Sequence, residues 1–141
     1  MIDFRLAAAG DCEGLARLNY EFNGVDVGAG KIALSLEKNG RESVAVAIKN
    51  DKIVGFLCGQ LIESFCYGAP YAELTELYVV PKERNKGIAT ELIGFLEAHY
   101  ASRGVRSFAL QTSASNKNAQ GLYEKLGYKK VTEILYRKRN E

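Results

Sequence analysis

The sequence predicts a single α/β domain built on a mixed sheet. Two observations lead to this fold class: strand and helix patterns alternate along the chain, and an apolar strand near the middle runs through a proline into a long amphipathic helix. A chain of 141 residues fits one domain, so we expect residues 1–141 to form one unit. The expected order of elements is β-α-α-β-β-β-α-β-α-β.

The first half of the chain predicts a strand, two helices and a hairpin. Residues 2–8 have a strand pattern, residues 11–22 place apolar side chains at helical spacing, and residues 32–36 predict a second, short helix. The β-prone runs 44–48 and 53–58 follow, and the short polar stretch between them has the chemistry of a hairpin turn. These two runs are therefore expected to form an antiparallel pair.

The second half predicts two further helices among three strands. Residues 71–80 read as a strand and residues 86–102 as a long helix with one apolar face. Residues 108–112 predict the next strand, and residues 116–126 predict a helix. The alternation in residues 131–138 predicts a last strand.

Charge and cysteine content exclude several classes of protein. A net charge of +2, from 19 basic and 17 acidic residues, gives no argument for nucleic-acid binding. Three cysteines form an odd set without Cys-x-x-Cys spacing, and with a single histidine they predict neither disulfides nor a metal site. The apolar runs are too short for a membrane span, and no signal-peptide pattern is present. We therefore expect a reduced, cytoplasmic protein that binds no membrane.

The turn after the strand at residues 71–80 has the features of a phosphate site. The chain passes a proline and enters the long helix through Arg84-x-x-Gly87-x-Ala89. Arg84 and Lys86 supply positive charge, and Gly87 lets the backbone approach an anion without a Cβ in the way. A helix that starts here also directs unpaired N–H groups at the ligand. These features predict that the turn binds a pyrophosphate.

A second motif follows in residues 116–128, which contain Asn-x-x-Ala-x-x-Leu-Tyr and then Leu-Gly-Tyr. Together with Arg-x-x-Gly-x-Ala in residues 84–89, and in this order, it resembles the two signature motifs of the GCN5-related N-acetyltransferases (GNAT). These enzymes bind acetyl-CoA and acetylate amines. Ala89 stands where many relatives have glycine, and it is small enough to allow the same close approach. The resemblance covers nearly the whole chain and is strongest from Ala72 to Tyr128.

The resemblance implies a GNAT-like fold, with a mixed and mostly antiparallel sheet flanked by about four helices. It implies direct transfer of the acetyl group from acetyl-CoA to a primary amine in a ternary complex, without a covalent enzyme intermediate. It is also compatible with a homodimer, a state common among relatives. The residues that it assigns to acetyl-CoA binding are Leu77, Tyr78, Val79, Arg84, Asn85, Lys86, Gly87, Ile88, Ala89, Thr90, Asn116 and Tyr123.

The alternation of apolar side chains in residues 71–80 slips by one position between Leu74 and Leu77. A β-bulge at Thr75-Glu76 explains the slip and leaves Glu73 and Glu76 on the same face. In the related enzymes such a bulge separates this strand from the next, so that the pantetheine arm fits between them. Unpaired N–H groups near Leu77 would then hydrogen-bond the thioester oxygen.

Amine acetylation needs a base, because an amine with a pKa of about 10.4 is mostly protonated at neutral pH. Glu73 is the first candidate, since it precedes Arg84 by the spacing of an acidic residue in related enzymes. Glu76, closer to the bulge, is the rival, and either one could act through a water or only attract cations.

Tyr123 is the candidate that protonates the leaving thiolate, although a tyrosine there also suits plain helix packing. Asn116 suits a pantetheine ligand, a helix N-cap, or both.

Acidic residues near the expected acceptor side predict a cationic small molecule, of the aminoglycoside or polyamine kind. These residues are Glu21, Asp26, Glu63, Glu73 and Glu76. A protein N-terminus or lysine is the alternative acceptor, and a non-catalytic acetyl-CoA sensor is the alternative function.

An acyl-cysteine route through Cys58 or Cys66 is disfavoured. His99 falls on the apolar face of the long helix, where a packed histidine is more plausible than a partner that activates a thiol.

Overall fold

The computed structural model describes all 141 residues, and the chain divides into two compact units, Met1–Gln111 and Thr112–Glu141. The first unit holds a five-stranded sheet and three helices, and the second holds one helix. The strands are β1 (Asp3–Leu6), β2 (Glu42–Lys49), β3 (Lys52–Ile62), β4 (Tyr71–Val79) and β5 (Phe108–Leu110); the helices are α1 (Cys12–Asn23), α2 (Ala29–Lys38), α3 (Ile88–Ala101) and α4 (Lys117–Lys125).

The sheet follows the chain order β1-β2-β3-β4-β5. Its first four strands pair antiparallel, and β5 runs parallel to β4, so the predicted mixed and mostly antiparallel sheet is confirmed. The β2–β3 hairpin turns through Asn50 and Asp51, whose φ angles of 50° and 62° lie in the left-handed region. Asn and Asp tolerate this region better than other residues with a Cβ, which is why this polar stretch forms the turn.

The predicted bulge in β4 is confirmed. Cys58 of β3 pairs with Glu76 while Gly59 pairs with Leu74, so Thr75 has no partner in the ladder. The Thr75 hydroxyl donates to the Cys58 carbonyl at 3.3 Å. The extra residue keeps the apolar set of β4 on one face despite the slip in alternation.

Helices cover both faces of the sheet. On one face, α3 packs through Leu92, Leu96 and Tyr100, all of which are fully buried. On the other face, α1 buries Leu15 and Leu18 and is joined by α2. The core of the first unit therefore consists of two apolar layers, one on each side of the sheet.

The prediction of a last strand at residues 131–138 is wrong. No strand follows α4, so the observed order is β-α-α-β-β-β-α-β-α. A run of β-prone residues becomes a strand only where a neighbour accepts its backbone hydrogen bonds, and this segment is part of no ladder. Its apolar side chains are accordingly exposed: Val131, Ile134, Leu135 and Tyr136.

None of the helices combines the length and the apolar character that crossing a bilayer requires. A location in the cytoplasm stays a prediction from the sequence.

The substitution Gly59→Ala is expected to destabilise the protein by about 1–3 kcal/mol, because it overpacks the α3 side of the sheet. A Cβ built at Gly59 would lie 2.8 Å from Cε2 of Tyr100 and 3.0 Å from Cδ2 of Leu96. The matched control is Gly94→Ala in α3, where the added methyl meets nothing within 4 Å. That control should raise stability by about 0.5–1 kcal/mol through helix propensity. Urea unfolding measures both, and equal midpoints for the two variants would contradict this packing.

Candidate active site

A cleft opens between β4 and β5 where their pairing stops. The parallel ladder contains only Ala72 with Phe108, Glu73 with Ala109, and Leu74 with Leu110. From the bulge at Thr75 to the end of β4 at Val79, no strand lies on this side of β4. The backbone groups of that edge are therefore available to a ligand that carries amides and a carbonyl, such as pantetheine.

The loop that follows β4 forms an anion cradle. Asn85 and Gly87 have φ angles of 63° and 83°, both in the left-handed region. Left-handed residues in a tight turn can direct nearby N–H groups toward one point and make an anion-binding concavity. Gly87 is the N-cap of α3, and no side chain caps the first turn of that helix. A Cβ at Gly87 would meet nothing within 4 Å, so the space over the loop is open and suits a pyrophosphate.

The two basic side chains of the loop make contacts inside the protein. Arg84 donates through Nε to the Val79 carbonyl at 2.8 Å, and its guanidinium lies 5.5 Å from the centre of the Tyr78 ring. Lys86 donates to the Glu83 carboxylate at 3.1 Å. The backbone N–H groups of the loop are therefore the main groups available to bind an anion. The charges of Arg84 and Lys86 contribute a positive potential nearby.

Glu83 holds the loop to the far end of β2. Its carboxylate is buried and accepts hydrogen bonds from Lys49 at 3.1 and 3.2 Å and from Lys86 at 3.1 Å. The hydrogen bonds from Lys49 and then from Lys86 lower the pKa of the Glu83 carboxyl. Glu83 could not be predicted from the sequence, because its partner Lys49 lies far away in the chain and no local pattern indicates a buried carboxylate.

The two candidate bases lie on the α1–α2 face of β4 and are half-buried. Glu73 pairs in register with Gln60, and Glu76 pairs with Cys58. Glu73 lies within the part of β4 that pairs with β5, whereas Glu76 lies beyond it, at the opening of the cleft. The structure therefore distinguishes the positions of these two carboxylates, which the sequence could not.

An aromatic cluster connects the end of α1 to β4. The Phe22 and Tyr78 rings stack with centroids 5.1 Å apart, and Phe56 lies 6.2 Å from Phe22. The Tyr78 hydroxyl donates to Glu21 at 3.2 Å, and burial, followed by this hydrogen bond, raises the pKa of Tyr78. This hydrogen bond holds Glu21, one of the predicted acidic residues, beside β4.

Cys58 is a poor nucleophile in this setting. Burial raises the pKa of its thiol well above the usual range, and the charges of Glu42 and Glu76 add to the effect. The thiol is therefore protonated at neutral pH, which removes the thiolate that an acyl-cysteine route needs. The imidazole Nε2 of His99 lies 3.2 Å from the Ser43 hydroxyl, and Cys66 is exposed.

A cavity of about 190 Å³ lies between α1, α2 and the sheet. Glu42, at the start of β2, contributes a half-buried carboxylate to its lining. Burial raises the pKa of Glu42, and the charge of Glu76 raises it further. The role of Glu42 in this cavity could not be predicted from the sequence either, because a polar residue at the start of a strand is common.

The second unit contains the other two predicted site residues. Asn116 is the N-cap of α4, and its Oδ1 accepts a hydrogen bond from the Ala119 N–H at 3.1 Å. Tyr123 is half-buried, its ring lies 6.4 Å from that of Tyr128, and burial raises the pKa of its phenol. The capping role of Asn116 is thus present, and the Tyr123 hydroxyl remains protonated at neutral pH.

The family model described as the acetyltransferase (GNAT) family matches residues 14–128. The chain belongs to this family. As a GNAT protein it is an N-acetyltransferase, and its acetyl donor is acetyl-CoA. The predicted family is therefore confirmed, together with the cosubstrate for which the cleft and the loop have suitable geometry.

Named relatives of this acetyltransferase include aminoglycoside N(6')-acetyltransferase type 1 of Salmonella typhimurium, with 26% identity over 67% of this chain and 68% of that protein. The uncharacterized N-acetyltransferase YhfO of Bacillus subtilis is 29% identical over 70% of this chain and 66% of its own length. Among solved structures, aminoglycoside acetyltransferase AAC(6')-Iy in complex with the bisubstrate analogue CoA-S-monomethyl-acetylneamine has a TM-score of 0.84 at 23% identity. That alignment covers 99% of each chain.

No group of three or more His, Cys, Asp and Glu side chains in this acetyltransferase is arranged to hold a metal ion.

The substitution Glu83→Gln is expected to lower the melting temperature of the acetyltransferase at neutral pH. Because the folded protein lowers the pKa of the Glu83 carboxyl below its ordinary value, the charged carboxylate contributes stability at any pH above that ordinary value. The contribution is lost as the pH falls through the folded-state pKa, so the gap between variant and wild type should close in acid. Glu133→Gln, at an exposed position outside the helices and strands, is the control. A gap that does not change with pH would contradict the role of the charge.

Proposed function

We propose that this acetyltransferase acetylates a small-molecule primary amine, by direct attack of the amine on the thioester of acetyl-CoA within a ternary complex. One observation carries the proposal: along a single strand, β4, a half-buried carboxylate, an unpaired strand edge and an anion cradle follow one another. From Glu76 to the end of β4 at Val79, the free edge spans roughly 10 Å of extended backbone, and the cradle lies in the loop that follows. This order matches the acyl, pantetheine and pyrophosphate parts of the donor.

In this proposal Glu76 removes the proton from the amine, directly or through one water. It is preferred to Glu73 because it lies beside the opening of the cleft, whereas the backbone of Glu73 is engaged in the β4–β5 ladder. A carboxylate next to the thioester is close enough to accept the amine proton as the nitrogen attacks. General-base catalysis requires this proximity. Glu73 then attracts the cationic acceptor.

Other groups stabilise the negative charge that develops on the thioester oxygen and on the leaving sulfur. Acetyl-CoA supplies a thioester carbon to which the amine nitrogen bonds as the carbon–sulfur bond breaks. Backbone N–H groups on the free edge of β4 near Leu77 stabilise the negative charge that develops on the carbonyl oxygen. The family resemblance assigns the proton for the leaving thiolate to Tyr123, whose raised pKa keeps its phenol protonated at neutral pH. Counted from the neutral amine, one proton passes from nitrogen to Glu76 and one passes from Tyr123 to sulfur. An acceptor that arrives as an ammonium first releases one further proton to solvent.

The names of the relatives favour an aminoglycoside as acceptor, and the acidic residues favour a cation in general. A non-catalytic sensor of the same fold would need no carboxylate at the cleft, so Glu76 argues for an enzyme. A peptide N-terminus or a lysine remains the alternative acceptor.

The direct test is the release of free CoA thiol from acetyl-CoA in the presence of separate pools of aminoglycosides, polyamines, simple monoamines, and peptides with free N-termini or lysines. Release that depends on a small-amine pool is the expected result. Release only with the peptide pool would replace the proposed acceptor class. Absence of release from every pool, while acetyl-CoA still raises the melting temperature, would overturn the proposed acceptor class and place the acceptor outside these amines.

Replacing each of the two carboxylates in turn by its amide separates their roles. Glu76→Gln should lower kcat by about 100-fold or more at neutral pH, with the Kd for acetyl-CoA unchanged, because the base is lost and the cofactor site is intact. Glu73→Gln, the matched control on the same strand face, should mainly raise the KM for the amine. Steady-state kinetics with the amine identified above measures both, and the reverse pattern would assign the base to Glu73.

Gly87→Glu should abolish acetyl-CoA binding, because it places a carboxylate where the anion cradle is open. Gly87→Ala is the matched control: it imposes the same left-handed strain on a residue with a Cβ, about 1–2 kcal/mol, but adds no charge. Calorimetric titration with CoA should therefore find no binding to the first variant and reduced binding to the second. Equal loss in both variants would mean that backbone strain, not charge at the cradle, governs the affinity.

A further inference from the structure

We infer that the acceptor is a monoamine with a small apolar body, which occupies the cavity between α1, α2 and the sheet and directs its nitrogen toward Glu42 and Glu76. This inference rests on the proposed function and specifies the substrate class of the same site. It departs from the polycationic acceptor that the sequence and the names of the relatives suggest.

The walls of the cavity are mostly apolar. Helices α1 and α2 and strands β2 and β3 contribute aliphatic and aromatic side chains on the same sheet face as Glu76. Such walls favour a body without charges, since placing an ammonium against them removes its water without replacing the lost hydrogen bonds. The apolar lining residues are Leu15, Val27, Ile32, Leu36, Val44 and Phe56.

Charge is confined to two places in the lining. Glu42 accepts a hydrogen bond from the Gln60 amide at 2.9 Å and forms no salt bridge, so its carboxylate is not neutralised by a basic side chain of the chain. Val44, its neighbour on the same strand face, pairs with Cys58, which pairs in turn with Glu76. A half-buried carboxylate beside apolar walls calls for a cation, and one ammonium satisfies it.

The second charge in the lining is Lys31 of α2. Lys31 is exposed at the rim of the cavity, where its positive charge disfavours a second ammonium group at that end of the acceptor. The cavity therefore combines attraction for one cation with repulsion of a second.

The size of the cavity points the same way. About 190 Å³ corresponds to roughly six water molecules at their share of liquid volume. This is less than the range of about 300–1,000 Å³ typical of pockets that enclose drug-sized ligands. A short alkyl or aryl body fills this volume, whereas a multi-ring aminosugar would have to extend out of its open side.

The test compares pentylamine with cadaverine, which differ only by a second ammonium group at the far end. Pentylamine should be acetylated with a kcat/KM at least about tenfold higher. Ser35→Phe places a ring into the cavity from the exposed side of α2 and should weaken pentylamine binding about tenfold or more. Glu42→Gln should raise the KM for pentylamine about tenfold, while Glu37→Gln, an exposed carboxylate of α2 outside the cavity, should change nothing.

Calorimetric titration of pentylamine into the protein saturated with CoA gives a readout that does not depend on turnover. Binding that Ser35→Phe weakens supports the cavity as the site of the monoamine. If no acetylation accompanies it, the binding site stands and the proposed acetyl transfer to this amine is overturned. Equal or better turnover of cadaverine or neamine, or of a peptide N-terminus, overturns the inference and leaves acetyl transfer standing. Pentylamine binding that neither Ser35→Phe nor Glu42→Gln affects also overturns it.

Discussion

One extra residue in β4 organises the site. Because Thr75 has no partner in the ladder with β3, the strand keeps its apolar side chains toward α3 on both sides of the bulge and turns Glu73, Glu76 and Tyr78 to the opposite face. The pairing with β5 also ends at Leu74, immediately before the bulge. A bulge bends a strand and increases its twist. The end of the pairing between β4 and β5 and the orientation of Glu76 therefore have one cause.

The rest of the donor site depends on where β4 ends. Val79 is the last residue of the strand, and its carbonyl holds the Arg84 side chain, so the loop is attached to the strand that supplies the cleft. The buried carboxylate of Glu83 attaches the same loop to Lys49 at the end of β2. The anion cradle at Asn85 and Gly87 is thereby fixed from two sides, which reduces the ordering cost when a ligand binds.

Features set by local pattern could be predicted from the sequence, and features set by distant pairing could not. The slip in alternation between Leu74 and Leu77 is visible in the chain, and so is the glycine that the left-handed N-cap at Gly87 requires. Glu42 and Glu83 could not be predicted as site residues. The cavity beside Glu42 and the contact of Glu83 with Lys49 both depend on segments far away in sequence. The same reason explains the strand wrongly predicted at residues 131–138: its alternation is local, whereas its hydrogen-bond partner would have to come from elsewhere. The proposal of Glu76 over Glu73 as the base likewise rests on the end point of the β4–β5 ladder, which the sequence does not show.

The central claim is that the free edge of β4 and the cradle that follows it bind acetyl-CoA together. Amide hydrogen exchange of the protein with and without CoA tests this claim most directly, because it reports on each backbone N–H group. The account predicts slower exchange with CoA in residues 75–79 and in residues 84–90, and little change in the β2–β3 hairpin. CoA binding that leaves both segments unchanged, or that protects only the cradle and not the strand edge, would contradict it.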